Sequence, residues 1–182
     1  MKCIHPPLNE EDTRKLRAGD EVKIDGTIYA ARDAAHKRMI ESLRKGDPLP
    51  FNPDGQIIYY VGPCPAPPGR VIGSAGPTTS GRMDAYAPDL IALGLRAMIG
   101  KGERSAEVAA SMERHGAVYL ATFGGAGAYL AKCIVKVETV AYPELGPEAL
   151  LKMEVRDFPC LVAIDAQGNS LYQEVREKRG GR

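Results

Sequence analysis

The segment Gly73-Ser74-Ala75-Gly76-Pro77-Thr78-Thr79-Ser80-Gly81-Arg82-Met83-Asp84 sets eight small or hydroxylated residues and one proline between an expected strand and a helix. Side chains this short leave backbone N–H groups facing the mouth of the loop. With Thr79 or Ser80 as N-cap of the following helix, the orphan donors of its first turn and the positive end of its dipole point the same way, which suits an anion. Arg82 falls in that first turn, where a cation opposes the dipole by about 0.3–1 kcal/mol unless a negative group offsets it. Asp84 can supply the offset, and so can a bound carboxylate. A capped helix with a solvated arginine is the plainer alternative, and it remains open at this point.

Two further cations occupy similar corners: Arg32 just before Asp33, and Lys101 between Gly100 and Gly102. Taken singly, each is most simply an exposed charge. If the corners converge, as strand ends do in α/β sheets, they form an anion pocket fit for two carboxylates, with arginine gripping in bidentate fashion and lysine acting as a point charge. His36, four residues after Arg32 on the same helical face, either orients an active group or is a half-buried structural histidine. Gly124-Gly125-Ala126-Gly127 fails the dinucleotide spacing at Leu130, so close packing explains it better. No nucleophile elbow and no phosphate-binding P-loop occurs.

The elements that must position these groups read as an alternation of strands and helices. Glu21–Ala31 alternates in polarity about Asp25-Gly26, the signal of a hairpin. Asp33 caps a helix whose Ala35, Met39, Ile40 and Leu43 recur at helical spacing up to Gly46. Residues 56–62 read as a strand, and helical spacing resumes from Ser80 through Leu95. Ser105 caps a helix that closes at Gly116, and a buried strand follows at 117–123. A small helix at 127–132 precedes a strand at 133–142, and Pro147 opens a short helix. Residues 158–165 and 170–175 flank Gln167-Gly168-Asn169 as a final strand pair, and the tail 177–182 is expected to fray. No repeat is visible. The sum is an α/β fold class, a compact mixed sheet or small barrel covered by helices.

At 182 residues the chain fits one domain, 1–182. Apolar residues at 44% and charged residues at 26% are enough for a core and a soluble surface, and disorder is not expected. A net charge of +1 supplies no field for nucleic acid or anionic lipid. The longest uncharged stretch, 117–131, is short and broken by glycines, and acidic residues near the N-terminus leave no export signal, so no membrane and a cytoplasmic location are expected. Cys3, Cys64, Cys133 and Cys160 are scattered without C-x-x-C spacing, which points to reduced thiols and to no metal site on the chain.

Gly76-Pro77-Thr78-Thr79-Ser80-Gly81-Arg82-Met83-Asp84, Arg32-Asp33-Ala34-Ala35-His36, Lys101-Gly102, Tyr142-Pro143-Glu144-Leu145-Gly146 and Asp157-Phe158-Pro159 occur in the order found in one family. Through these motifs the chain resembles the C-terminal domain, or separate β subunit, of class I iron–sulfur fumarases and L-tartrate dehydratases. The resemblance spans nearly the whole chain, and the 76–84 motif is its most specific part. It implies a swivelling β/β/α domain and a reversible hydro-lyase acting on a dicarboxylate such as fumarate/malate, or on tartrate. It also implies a 4Fe-4S cluster held by a partner α subunit, because none of the four cysteines lies in a matching motif, and hence a hetero-oligomer with its site between the halves. Carried over by position, it makes Arg32, Arg82 and Lys101 the carboxylate binders and Thr78 the base, with Thr79, Ser80, His36 and Asp84 in support. A carboxylate-binding scaffold without turnover is the competing function.

Overall fold

Successive strand residues face opposite ways, and at 57–60 both faces are apolar: Ile57 and Tyr59 join one hydrophobic cluster, Ile58 and Tyr60 another. A strand buried on both sides belongs inside a layered α/β fold. A computed structural model describes residues 1–180. The chain runs through β1 (Lys2–Ile4), α1 (Glu10–Arg14), β2 (Glu21–Ala30), α2 (Asp33–Arg44), β3 (Ile57–Tyr59), a 3-10 turn (Ser80–Met83), α3 (Ala87–Ala92), β4 (Ala97–Gly100), α4 (Ala106–His115) and β5 (Val118–Ala121). It continues through α5 (Gly127–Lys132), β6 (Ile134–Ala141), a 3-10 segment (Pro143–Glu148), β7 (Leu150–Ile164) and α6 (Leu171–Gly180).

Strands β2, β3, β4 and β5 pair in parallel, and the long β7 pairs antiparallel with both β5 and β2, closing a five-stranded barrel. β1 extends β2, and β6 lies along β7. The barrel interior is filled by Val22, Ile24, Ile28, Tyr59, Ile99, Leu120, Met153, Phe158 and Val162 among others. Helices α2, α3 and α4 press Met39, Ile40, Leu90, Val108 and Met112 onto the outer face. The expected α/β barrel covered by helices is therefore what forms. No helix among the described residues is long and apolar enough to cross a membrane.

Several local expectations are corrected. Asp25-Gly26 is not a hairpin turn: β2 runs straight through it beside β7, with a bulge between Ile24 and Gly26 that lets Asp25 Oδ1 accept the Asp157 backbone N–H at 2.6 Å. Arg32, not Asp33, is the N-cap of α2, because the Asp33 carboxylate is engaged with arginines. The short segment after β6 starts at Pro143, ahead of Pro147. Residues 171–175 open α6 and form no strand; only a single bridge joins Ile164 to Ser170 across a turn closed by the Asp165 carboxylate. Of the tail 177–182, residues 177–180 continue α6 beyond an Arg176–Glu103 ion pair, and 181–182 lie outside the described residues.

Candidate functional site

Because β2, β3 and β4 are parallel, their C-terminal ends share one rim of the barrel, and the glycine-rich segment is laid across it. The Thr78 N–H donates to Tyr60 O at 2.8 Å, the Ser80 N–H donates to Lys101 O at 2.9 Å, and Thr79 bridges Lys101 in parallel register. Ser80 is fully buried beneath this crossing. Tyr119 spends its hydroxyl proton on Gly102 O at 2.9 Å, so the Ser80 hydroxyl is the donor in their 2.8 Å contact. Gly100 permits the arrangement: a Cβ there would stand 1.9 Å from Ser80 Oγ. Gly127 does the same on the other flank, where a Cβ would meet Ser74 Oγ at 2.3 Å; of the glycines after β5 it alone serves close packing, since a Cβ on Gly125 would meet nothing within 4 Å and that residue instead supplies a positive φ.

Arg32 leaves the end of β2 and crosses the backbone of Gly62. Its Nε reaches Glu148 Oε1 at 2.7 Å and Asp33 Oδ2 at 3.1 Å. The other Asp33 oxygen, Oδ1, accepts Arg82 Nε at 2.8 Å. One carboxylate thus joins two guanidiniums contributed by different loops. Partial burial works to raise the Asp33 pKa, but a backbone N–H, the Arg32 hydrogen bond and the Arg82 charge outweigh it and hold the carboxyl below its ordinary value. Only Nε of each arginine is used in these pairs, and the Arg82 side chain remains 50% exposed. The 3-10 turn at Ser80–Met83 is too short to build a dipole, and Thr79 makes no side-chain cap bond. The positive charge at this corner is therefore that of the guanidiniums, not of a helix terminus as the composition suggested.

Asp84 does not offset Arg82. It takes Arg104 Nε at 2.7 Å on one oxygen and the Ser105 N–H at 2.7 Å on the other. Arg104 is enclosed between the rings of Tyr60 and Tyr119, at 5.3 and 5.1 Å, as a cation–π sandwich under the rim. Sequence reasoning missed Arg104, and its one available signal was a second cation immediately before the α4 N-cap Ser105. Glu148 was missed as well, although it directly follows the 142–147 stretch; that stretch docks on α2 through an Arg38–Glu144 ion pair and through Arg38 over the Tyr142 ring.

His36 is fully buried, not half-buried, with ring contacts to Tyr60 and Tyr86. Burial, helped by the Arg104 charge and resisted by the Arg32 carbonyl, pulls its pKa down to about 4. It is neutral, and Nδ1 carries the proton because the carbonyl of Arg32, 2.9 Å away, can only accept. Its link to the rim is that hydrogen bond to the Arg32 backbone. Thr78 is partly exposed, and its hydroxyl has no hydrogen-bond partner among the described residues. Lys101 is exposed, makes no ion pair among the described residues, and lies over Gly124. The backbone bonds thus tie Thr78 to Tyr60 and both Thr79 and Ser80 to Lys101, and Asp33 ties Arg82 to Arg32.

Residues 4–175 match the family described as Fumarase C-terminus. The chain is 41% identical over 182 residues to "Fumarate hydratase class I, aerobic" of Salmonella typhimurium, a match covering 98% of this chain and 31% of that protein. It is 42% identical over 184 residues to "Putative L(+)-tartrate dehydratase subunit beta" of Methanocaldococcus jannaschii, covering 98% of this chain and 94% of that one. "Fumarate hydratase 2" of Leishmania major is 43% identical over 159 residues, covering 86% of this chain and 28% of that protein. The chain therefore spans about a third of the length of the fumarate hydratases it matches, and nearly all of the tartrate dehydratase β subunit.

Proposed function

The chain belongs to the Fumarase C-terminus family, and on that premise we propose that it is the β subunit of a two-component hydro-lyase that reversibly adds water to a C4 dicarboxylate, fumarate to malate. The carrying observation is the shared carboxylate of Asp33 between Arg32 and Arg82, on the rim where Thr78 and Lys101 also sit. Fumarate carries two carboxylates at opposite ends of a rigid double bond. The exposed guanidinium of Arg82 grips one in bidentate fashion, Arg32 orients it, and Lys101 adds a point charge toward the other.

Thr78 is positioned by its backbone bond to Tyr60, which leaves its hydroxyl available to take the proton beside a carboxylate in the dehydration direction and to return it in hydration. A hydroxyl ionises far above neutral pH, so this role depends on the neighbouring cations favouring the anion. Thr79 and Ser80 hold the loop in register, His36 steadies the Arg32 backbone, and Asp84 fixes the floor through Arg104.

The iron–sulfur cluster of the reading does not fit this chain's own residues. A 4Fe-4S cluster takes several thiolates at one place, whereas Cys3 and Cys64 are exposed and Cys133 and Cys160 are buried inside the barrel, where burial raises both thiol pKa values and opposes the thiolate. The cluster is assigned to a partner α subunit, and the pair to the cytoplasm. A tartrate dehydratase assignment is favoured by one observation, the near-complete coverage of the archaeal β subunit; the two differ in hydroxyl groups on the same C4 frame.

The test is anaerobic co-expression with a cluster-bearing α subunit, followed by assays of fumarate hydration and tartrate dehydration. Arg82→Ala should lower kcat/KM by at least about 100-fold with the complex intact. A complex with intact cluster that is inactive on both substrates, or wild-type kinetics in Arg82→Ala, overturns the reading.

A further inference from the structure

Away from the rim, a second group of side chains carries donor chemistry. Cys3, His5 and Asp25 each present one ligand atom, and these atoms lie within 4.8 Å of one another. Cys3 comes from β1, Asp25 from the bulge of β2, and His5 from the segment directly after β1. Asp25 is separated from the end of β2 at Ala30 by five residues, roughly 17 Å of extended strand, so the group is separate from the arginine pair.

We propose that Cys3, His5 and Asp25 form a binding site for a divalent ion of the zinc class, with a water completing the tetrahedron. Thiolate, imidazole and carboxylate together favour zinc over the oxygen-seeking magnesium and calcium. Ligands bound at zinc distances stand about 3.3–3.8 Å apart; Cys3 Sγ and Asp25 Oδ2 are 3.1 Å apart, so a slight opening admits the ion. On binding, the sulfur–metal bond replaces the S–H bond and the proton leaves to water.

The surroundings organise this group as a second shell does. Asp25 Oδ1 is already held by the Asp157 N–H at 2.6 Å, which leaves Oδ2 turned to Cys3. Lys23, the nearest cation in register with Cys3, is drawn off to Asp157 at 2.7 Å. Pro6 packs on the bulge, 3.7 Å from where a Cβ on Gly26 would sit, and this seats His5 beside Asp25. Sequence spacing argued for no metal on this chain because the cysteines are scattered without C-x-x-C spacing and His5 has no evident partner; the pairing of β1 with β2 brings Asp25 to Cys3 and His5.

Cobalt(II) serves as the probe on the full chain, kept reduced with a phosphine. The expected result is one cobalt per chain with a thiolate-to-cobalt charge-transfer band, displaced by equimolar zinc. Cys3→Ser should abolish the band, Cys64→Ser should leave it unchanged, and His5→Gln and Asp25→Asn should each weaken binding at least about tenfold. All the substituted positions lie at or near the surface, and circular dichroism verifies that each variant is folded. Absence of the band in the wild-type chain, its persistence in Cys3→Ser, or unchanged affinity in both His5→Gln and Asp25→Asn overturns the proposal. None of these readouts depends on hydro-lyase activity.

Discussion

Two arginine–aspartate pairs lie on opposite sides of the same rim. Arg104 is 0% exposed, its Asp84 partner is 17% exposed, and Asp84 is saturated by Arg104 and the Ser105 N–H. Arg82 is 50% exposed and has to share Asp33 with Arg32. The chemical pair is the same, but burial gives it opposite uses. Below the rim the charges are fully paired and serve the scaffold, since removing one partner would strand the other in a low-dielectric site. On the rim, the Arg82 guanidinium keeps its terminal N–H groups in water, and desolvating them by binding an anion is what the site is free to do.

The contrast breaks first at Arg104. Arg104→Met should destabilise the chain by about 3–5 kcal/mol in chemical denaturation, because Asp84 keeps its charge without a counter-ion. Combining it with Asp84→Leu should recover part of that loss, and an unchanged midpoint in the single variant would deny Arg104 its scaffold role.

A second test concerns the buried imidazole between the two pairs. The His36 pKa is about 4 in the folded chain against an ordinary 6.5, so between these values the unfolded chain binds the extra proton. The contribution is complete above about pH 6.5 and is lost as pH falls toward 4, at no more than about 1.4 kcal/mol per pH unit. Carboxyls with lowered pKa, such as Asp33 and Glu10, act in the same direction, but below their ordinary values of 3.8 and 4.5. His36→Gln should therefore flatten the stability profile between pH 6.5 and 4.5; an equal slope in the variant would remove His36 as its source.

Gly100→Ala is expected to cost about 1–3 kcal/mol by overpacking against Ser80. The loss should be less than additive with Ser80→Ala, which removes the clashing oxygen. The smallest stability effect belongs to Arg82→Ala, under about 1 kcal/mol, because the pair is half in solvent. Set beside the large loss of turnover expected of the same variant, that small change would distinguish the rim from the floor; a loss of stability as large as that expected of Arg104→Met would erase the distinction.

Legibility followed the range of the interaction. The Ser105 cap, the left-handed Gly116 stop and the helix at Gly127–Lys132 were readable because each is decided by neighbours within one or two turns. Asp25-Gly26 misled because a bulge and a hairpin use the same residues, and the choice depends on whether β7, more than a hundred residues later, pairs alongside. Residues 170–175 failed for a related reason. Short apolar spacing suits strand or helix, and the turn held by Asp165 redirects the chain after one bridge. At the site, residue types revealed the cations and threonines, but Asp33 was read as a cap because sequence cannot show that Arg82 lies beside it.

By itself the amino-acid sequence determined the strand–helix alternation, the cationic corners and the small-residue crossing, since periodicity and side-chain size act locally. Only the tertiary structure decided which cation is buried and which is exposed, which carboxylate serves two arginines, and that a cysteine, a histidine and an aspartate meet between β1 and β2. Burial and electrostatic pairing depend on atoms brought together by barrel closure, and that closure is a property of the whole chain.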